Sequence, residues 1–197
     1  MHARQTPCCR SPSPKPFSRP ISPLDGCAAP AALGRSVPGG THASGEVRTL
    51  HGTRLLRPRR ACCGSCDATH VLLPARVVPR RRDSADVIGT ALLANAHGEG
   101  HRRIAARLDR PADTVRGWLR AFKGRADAIT SCAYAWARTL DNTWLPARAQ
   151  GSPVADAVNA LGDATRLVRL RLRMRATAWE LAVLLTGGLL HGEVRRP

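Results

Sequence analysis

Apolar residues recur at three- and four-residue steps along Gly100–Phe122, and this spacing predicts two short amphipathic helices. Asp109 and Pro111 lie between the two helices. Aspartate tolerates the left-handed backbone that a tight turn requires, and proline suits the first turn of a new helix. The pattern is therefore typical of a helix-turn-helix, in which a second helix follows a sharp turn. The apolar positions are, in chain order, Ile104, Ala105, Leu108, Val115, Trp118, Leu119 and Phe122.

A third helix is predicted just before this pair. Asp83 or Ser84 is placed to cap its beginning, and the Gly-Glu-Gly stretch at 98–100 ends it after His97. Three helices form the smallest stable module of this kind, as in homeodomains. We therefore predict a homeodomain-like three-helix domain over residues 83–129. The inner face of its first helix consists of Val87, Ile88, Ala91, Leu92 and Ala94.

The rest of the chain divides by composition into segments of different character. Alternating stretches at Glu46–Leu50 and Thr53–Leu56 predict short strands, and the Ala-rich sequence beyond Ile129 predicts further helices, with Val168–Arg175 continuing one of them. The predicted fold class is mainly α, with a small N-terminal β-hairpin or zinc-ribbon-like element and C-terminal helices. In chain order we predict a disordered Pro/Ser/Arg tail (1–24), a degenerate zinc-ribbon-like element (25–74), a basic arm (75–82), the helix-turn-helix (83–129), a C-terminal helical region (130–190) and a tail (191–197).

Positive charge dominates the composition. Lysine and arginine number 31 against 14 acidic residues, which gives a formal net charge of +17. Nearly all the cations are arginine, whose planar guanidinium binds phosphates and guanine edges through two donors at once. The excess favours a polyanionic partner. A second interpretation stays open, in which a GC-rich genome enriches arginine without any ligand, although this bias accounts less well for the scarcity of acidic residues.

Cys63 and Cys66 form a CxxC knuckle, which is half of the ligand set in zinc ribbons. The expected upstream knuckle begins at Cys27, but Pro30 occupies the position of its second cysteine. Two interpretations follow: a zinc site completed by another thiol or imidazole, or a degenerate element without metal. Zinc is the one candidate cofactor, with Cys63, Cys66 and Cys27 as candidate ligands. The available substitutes for the missing ligand are Cys62, His42 and His51.

The sequence has no feature typical of export or membrane insertion. Its first residues are rich in Pro, Ser and Arg and lack the apolar core of a signal peptide. The longest apolar run, Ala176–Leu190, contains Glu180 and is too short to cross a bilayer. We therefore expect a cytoplasmic protein with reduced cysteines and no membrane partner.

The outer face of the second helix in the pair carries the candidate contacts to double-stranded DNA. In the helix-turn-helix frame, Ala105 lets the two helices approach closely, and Arg116 and Arg120 lie one turn apart on the outer face. Arginine to guanine is the commonest specific contact in the major groove. Asp113 is expected to cap the helix. The predicted base contacts are Thr114, Arg116, Gly117 and Arg120, and the predicted phosphate contacts are His101, Arg102, Arg103, Arg110, Arg80, Arg81 and Arg82.

The stretch from Arg59 to Arg120 resembles an uncharacterised family of short bacterial proteins. In that family a CxxC element, followed by Thr-His and Leu-Leu-Pro as at residues 63–74 here, precedes a homeodomain-like helix-turn-helix. The resemblance extends to Thr-Gly-Gly-Leu-Leu at 186–190, and it implies a protein similar to the DNA-recognition part of insertion-sequence transposases. Two positions depart from the family pattern. Pro30 replaces a knuckle cysteine, which places metal binding in doubt, and Asp109 stands where a turn glycine is usual.

The sequence also bears on several other classes of function. A complete transposase is not expected, because its catalytic centre needs three carboxylates on a mixed α/β fold, and the chain after residue 129 has few acids and no run of strands. One alternative is a transcriptional regulator that forms a homodimer through the apolar stripe at Trp179–Leu185. The others are RNA binding by charge alone, an amphipathic helix pair in an ordinary bundle, and a decayed mobile-element relic.

Overall fold

The computed structural model describes residues 45–62 and 69–187 of the 197-residue chain. This part is mainly helical, with two pairs of short strands. It divides into a larger unit, residues 46–54 and 75–187, and a smaller one formed by residue 45 with residues 55–62 and 69–74. The strands are β1 (Gly45–Thr49), β2 (Gly52–Leu56), β3 (Arg59–Cys62) and β4 (Thr69–Leu72). The helices are α1 (Ala85–Ala96), α2 (His101–Leu108), α3 (Ala112–Lys123), α4 (Ala126–Leu140), α5 (Pro153–Leu172) and α6 (Ala178–Leu185).

Helix α1 lies where the capping residues and apolar spacing predict it. Ser84 is the N-cap, and its side-chain oxygen accepts a hydrogen bond from the backbone N–H of Val87 at 3.4 Å. His97 is the C-cap, and Gly98 follows with a φ of 89°, which a glycine adopts without steric penalty. The sequence prediction of this helix is confirmed. Of its predicted inner face, Val87, Ile88, Ala91 and Leu92 are buried and Ala94 is partly buried.

The turn between α2 and α3 has the predicted left-handed residue. Asp109 has a φ of 51° and a ψ of 56°, and its N–H and that of Arg110 donate to carbonyls of α2. Pro111 is the N-cap of α3 and so lies directly before the first helical turn, for which the sequence predicts it. Its ring fixes φ at −57°, and its ψ of 135° is still extended. Its carbonyl accepts the first hydrogen bonds of α3. The predicted stripes are buried at Ile104, Ala105, Val115, Trp118 and Phe122 and partly buried at Leu108 and Leu119.

The helices after α3 share the core of the first three. Helix α4 begins at Ala126, so the predicted boundary between residues 129 and 130 falls inside a helix. Helix α5 contacts α1 and α4, and α6 contacts α1 and α5. One apolar core therefore includes residues of all six helices, from both the predicted helix-turn-helix and the predicted C-terminal region. Buried members of this core, one from each helix, are Ile88, Ile104, Phe122, Ile129, Leu161 and Leu181.

The last two helices are closed by local caps. Helix α5 ends at Leu172, and Arg173 follows with a φ of 51°, so the predicted continuation of a helix through residues 168–175 extends only to Leu172. Helix α6 begins with a capping box between Thr177 and Glu180. Of the helices in the described residues, none combines the length and apolar character that a membrane span needs.

The two strand pairs bear on the predicted zinc-ribbon-like element. Strands β1 and β2 pair across the connection at residues 50–51, and β3 pairs antiparallel with β4, with Arg59 opposite Leu72. The presence of a small β-hairpin is confirmed. The predicted zinc ligands Cys63 and Cys66 fall within residues 63–68, between β3 and β4, and these two residues and Cys27 all lie outside the described residues.

Candidate nucleic-acid interface

Helices α2 and α3 each present one buried and one exposed face. Their apolar stripes pack on α1 and on each other, and α3 also contacts α5. Because helical side chains alternate between faces every three or four residues, the positions between the stripes point away from the core. The exposed positions of α2 and α3 are therefore the polar ones, and most of them carry positive charge.

The outer face of α3 carries the predicted base contacts. Arg116, Gly117 and Arg120 are exposed, and Thr114 is partly buried. A Cβ built on Gly117 meets no atom within 4 Å, so this part of the face is open. The two arginines lie four residues apart, about one helical turn, and both side chains leave the same side of the helix. The arrangement presents two guanidinium groups on one side of the helix, next to a position without a side chain.

Asp113 has a different role from the predicted one. Pro111, not Asp113, is the N-cap of α3, and Asp113 lies in the first helical turn with its carboxylate exposed. One of its oxygens accepts from the Arg116 guanidinium at 3.0 Å. An exposed pair of this kind contributes little to stability, so Arg116 is free to exchange its partner.

Asp83 binds two arginines that are distant in sequence. Its side chain is 3% exposed; one oxygen accepts from Arg48 and the other from the Arg110 Nε, each at 2.7 Å. The Arg110 guanidinium also donates to the carbonyls of Leu108 and Asp109. Arg110 is a predicted phosphate contact, but only 12% of its side chain is exposed, and its Nε and one Nη nitrogen donate within the protein. The structure gives it the role of fixing the turn between α2 and α3.

The beginning of α2 carries further positive charge. Arg102 and Arg103 are exposed and His101 is partly buried. Arg107 in the last turn of α2, which the sequence does not single out, is held by Glu99 at 2.9 Å. Three of the predicted phosphate contacts are therefore placed together in the first turn of α2.

Residues 75–82, the predicted basic arm, do not form a free extended segment. Val77 and Val78 are buried in the larger unit, and the chain turns at Arg80, which has a φ of 62°. The N–H of Arg81 donates to the Val78 carbonyl at 3.1 Å. The side chains of the predicted phosphate contacts Arg80, Arg81 and Arg82 are nevertheless exposed. The arm is therefore a fixed turn that carries exposed arginines.

The chain matches no protein-family model, no curated protein and no solved structure. Its function is therefore inferred from the surface that α2, α3 and their neighbours form.

Within the described residues, no group of three or more His, Cys, Asp or Glu side chains is placed to hold a metal ion. His51, a candidate substitute ligand, is exposed at the tip between β1 and β2.

The sequence did not reveal the contacts that Asp83 makes. Asp83 was considered only as a cap for α1, a position that Ser84 occupies instead. Arg48 lies 35 residues before Asp83, and Arg110 lies 27 residues after it. Helical and strand periodicity report only on residues close in sequence, so no local pattern brings these three together. An acidic residue directly before a helix cap is the one feature of the sequence that points to Asp83.

Proposed function

We propose that the protein binds double-stranded DNA, with α2 and α3 acting as a helix-turn-helix and α3 entering the major groove. The observation that carries the proposal is the outer face of α3. It presents Arg116 and Arg120 beside the open position of Gly117, on a helix whose other face is packed in the core. An α-helix fits the major groove, and the second helix of such a pair is the one that enters it.

Each position on the outer face has a distinct proposed contact. Arg116 and Arg120 donate to the O6 and N7 atoms of guanine, the commonest specific contact made by arginine. Gly117 allows the helix backbone to approach the base edges closely, because it has no side chain in the way. Thr114 lies near the start of α3 and contacts a phosphate or a thymine methyl group.

In the free protein, the Asp113 carboxylate forms an ion pair with the Arg116 guanidinium. On DNA, Arg116 exchanges the Asp113 carboxylate for a guanine edge, and Asp113 is left beside the phosphates. A carboxylate in that place lowers affinity unless it accepts a hydrogen bond from cytosine. Asp113 therefore penalises sites that lack a cytosine at the facing position.

The phosphate contacts are assigned to exposed cations beside α3. His101, Arg102 and Arg103 lie in the first turn of α2, and Arg80, Arg81 and Arg82 lie on the turn before α1. Such contacts fix the register of the protein on the duplex and carry no sequence information. We leave Arg110 out of this set because Asp83 holds it.

The proposed protein is a transposase-like recognition module without catalytic activity of its own. This follows the resemblance of Arg59–Arg120 to the DNA-recognition part of insertion-sequence transposases, and the transcriptional-regulator alternative shares the same DNA-binding surface. The dimer seam on α6 stays a prediction: Trp179 and Val183 of its stripe are partly buried against the core of the same chain. Leu184 is the exposed large side chain of that stripe.

Selection of bound sequences from random duplex DNA tests the proposal. The wild-type protein is expected to recover a motif that contains guanines. Arg116→Ala should relax the preference at one position, because one bidentate contact is worth about 1–3 kcal/mol of discrimination. Arg138→Ala removes the same charge from an exposed site on α4 and should recover the wild-type motif. Recovery of no motif, with affinity that depends on salt alone, would refute sequence-specific binding and favour binding by charge.

A further inference from the structure

We propose that the β1–β2 hairpin is a second DNA-contacting element, which binds the phosphate backbone beside the beginning of α3. Its exposed contact residue is Arg54, and Asp83 is the positioning residue that holds the hairpin in place. This inference rests on the proposed function, because the location of the hairpin relative to α3 is what gives it a DNA strand to bind.

Hydrogen bonds of Arg48 and Asp83 fix β1 next to the turn that leads into α3. The Arg48 guanidinium donates to Asp83, and the backbone N–H of Arg48 donates to the carbonyl of Arg82 at 2.7 Å. The other oxygen of Asp83 accepts from Arg110, and Arg110 directly precedes Pro111, the N-cap of α3. One buried carboxylate therefore connects the hairpin and the start of the proposed recognition helix.

The tip of the hairpin is ordered by its own hydrogen bonds. The Thr49 hydroxyl donates to the Gly52 carbonyl at 2.7 Å and accepts from the N–H of His51 at 3.2 Å. Gly52 has a φ of 115°, a conformation that favours glycine. Val47 in β1 is buried and anchors the hairpin. A preordered tip loses little conformational entropy when it binds a ligand.

The exposed chemistry of the hairpin suits phosphate. Arg54 is exposed on β2, His51 is exposed at the tip, and the arginines of the turn at residues 80–82 adjoin β1 through Arg82. Within the described residues, the structure gives Arg54 no ion-pair partner. In helix-turn-helix proteins the beginning of the recognition helix faces the bases, so an element fixed beside it faces the flanking backbone. We therefore assign the hairpin to backbone contact and not to base recognition.

The test measures duplex binding by wild type, Arg54→Gln and a control, Arg138→Gln, across a series of KCl concentrations. The probe is a fluorescent 25-base-pair duplex of mixed sequence. Loss of one phosphate contact should lower the slope of log affinity against log salt by about 0.9 and weaken binding about five- to tenfold near 0.1 M salt. Arg54→Gln is expected to show both effects, and Arg138→Gln neither.

The failure of this inference is distinguishable from the failure of the proposed function. If wild type does not bind the duplex, the proposed function and the hairpin contact both fail. If wild type binds but Arg54→Gln matches it in affinity and salt slope, the hairpin contact alone is refuted. Sequence selection with Arg54→Gln gives a second readout: the recovered motif should equal that of wild type, and a changed base preference would contradict backbone contact.

Discussion

Replacing Asp83 with alanine removes the carboxylate that binds Arg48 and Arg110 at the same time. Both contacts are 2.7 Å long, and the Asp83 side chain is almost completely buried. The substitution leaves the Arg110 guanidinium, itself mostly buried, without its only charged partner in the described residues. It also leaves Arg48 without the carboxylate that holds β1 against the segment before α1.

The expected loss of stability follows from the different exposure of the two arginines. Breaking a buried ion pair by removing one partner costs about 3–5 kcal/mol, because the remaining charge stays buried. Arg110 keeps its hydrogen bonds to the carbonyls of Leu108 and Asp109, which offset part of this cost. The Arg48 side chain is 37% exposed and reaches solvent, so its pair adds little. We expect Asp83→Ala to lower the free energy of unfolding by about 3 kcal/mol.

Urea unfolding, followed by tryptophan fluorescence and by circular dichroism, measures this loss. The matched control is Asp163→Ala, which removes a carboxylate 3.6 Å from Arg166, whose side chain is 65% exposed. That exposed pair is worth at most about 1 kcal/mol, so the control should unfold close to wild type. If Asp83→Ala were within about 1 kcal/mol of wild type, Asp83 would not be the buried link between the hairpin and the turn.

Three further substitutions test the packing and the electrostatics. A Cβ on Gly89 would overlap the indole ring of Trp179. Gly89→Ala should therefore lower the free energy of unfolding by about 1–2 kcal/mol, despite the better helix propensity of alanine. A variant that is more stable than wild type in thermal melts would contradict this contact. The Trp118 Nε1 is buried without a hydrogen-bond partner among the described residues. Trp118→Phe removes this unpaired donor, which should offset the lost packing volume and keep the free energy of unfolding within about 1 kcal/mol of wild type. A loss above about 2 kcal/mol in urea unfolding would contradict this expectation. Asp113→Ala removes a negative charge from the proposed DNA-facing side and frees Arg116 from its ion pair. In titrations at low salt, the affinity for mixed-sequence duplex should rise about fivefold. Weaker binding would show that the carboxylate makes a favourable contact with DNA.

Helix positions could be predicted because their signals are local. The apolar residues of α2 and α3 recur every three or four residues, and Asp109 and Ser84 are residue types that suit their turn and cap. Each of these signals involves residues within one or two helical turns of each other. The outer face of α3, with Arg116 and Arg120, followed from the same periodicity and is exposed as predicted.

Contacts between distant parts of the chain could not be predicted in this way. The role of Arg110 depends on Asp83, an acid 27 residues away. The sequence around an arginine in a polar stretch does not show whether the side chain forms an internal ion pair or contacts a phosphate. The C-terminal helices likewise fill the core of the first three, since α5 contacts α1 and α3. An amphipathic pattern shows that a helix has a buried face and does not show which helices cover it.

The most direct test of DNA binding through α3 is to block the open part of its outer face. Gly117→Glu places a bulky negative side chain where the fold leaves open space, and Gly162→Glu makes the same change at an exposed, equally open position on α5. Both helices should tolerate the substitution, because glutamate favours helix more than glycine does. In duplex titrations, Gly117→Glu is expected to lose binding while Gly162→Glu retains the affinity of wild type. Equal binding by the two variants would contradict the assignment of α3 as the recognition helix.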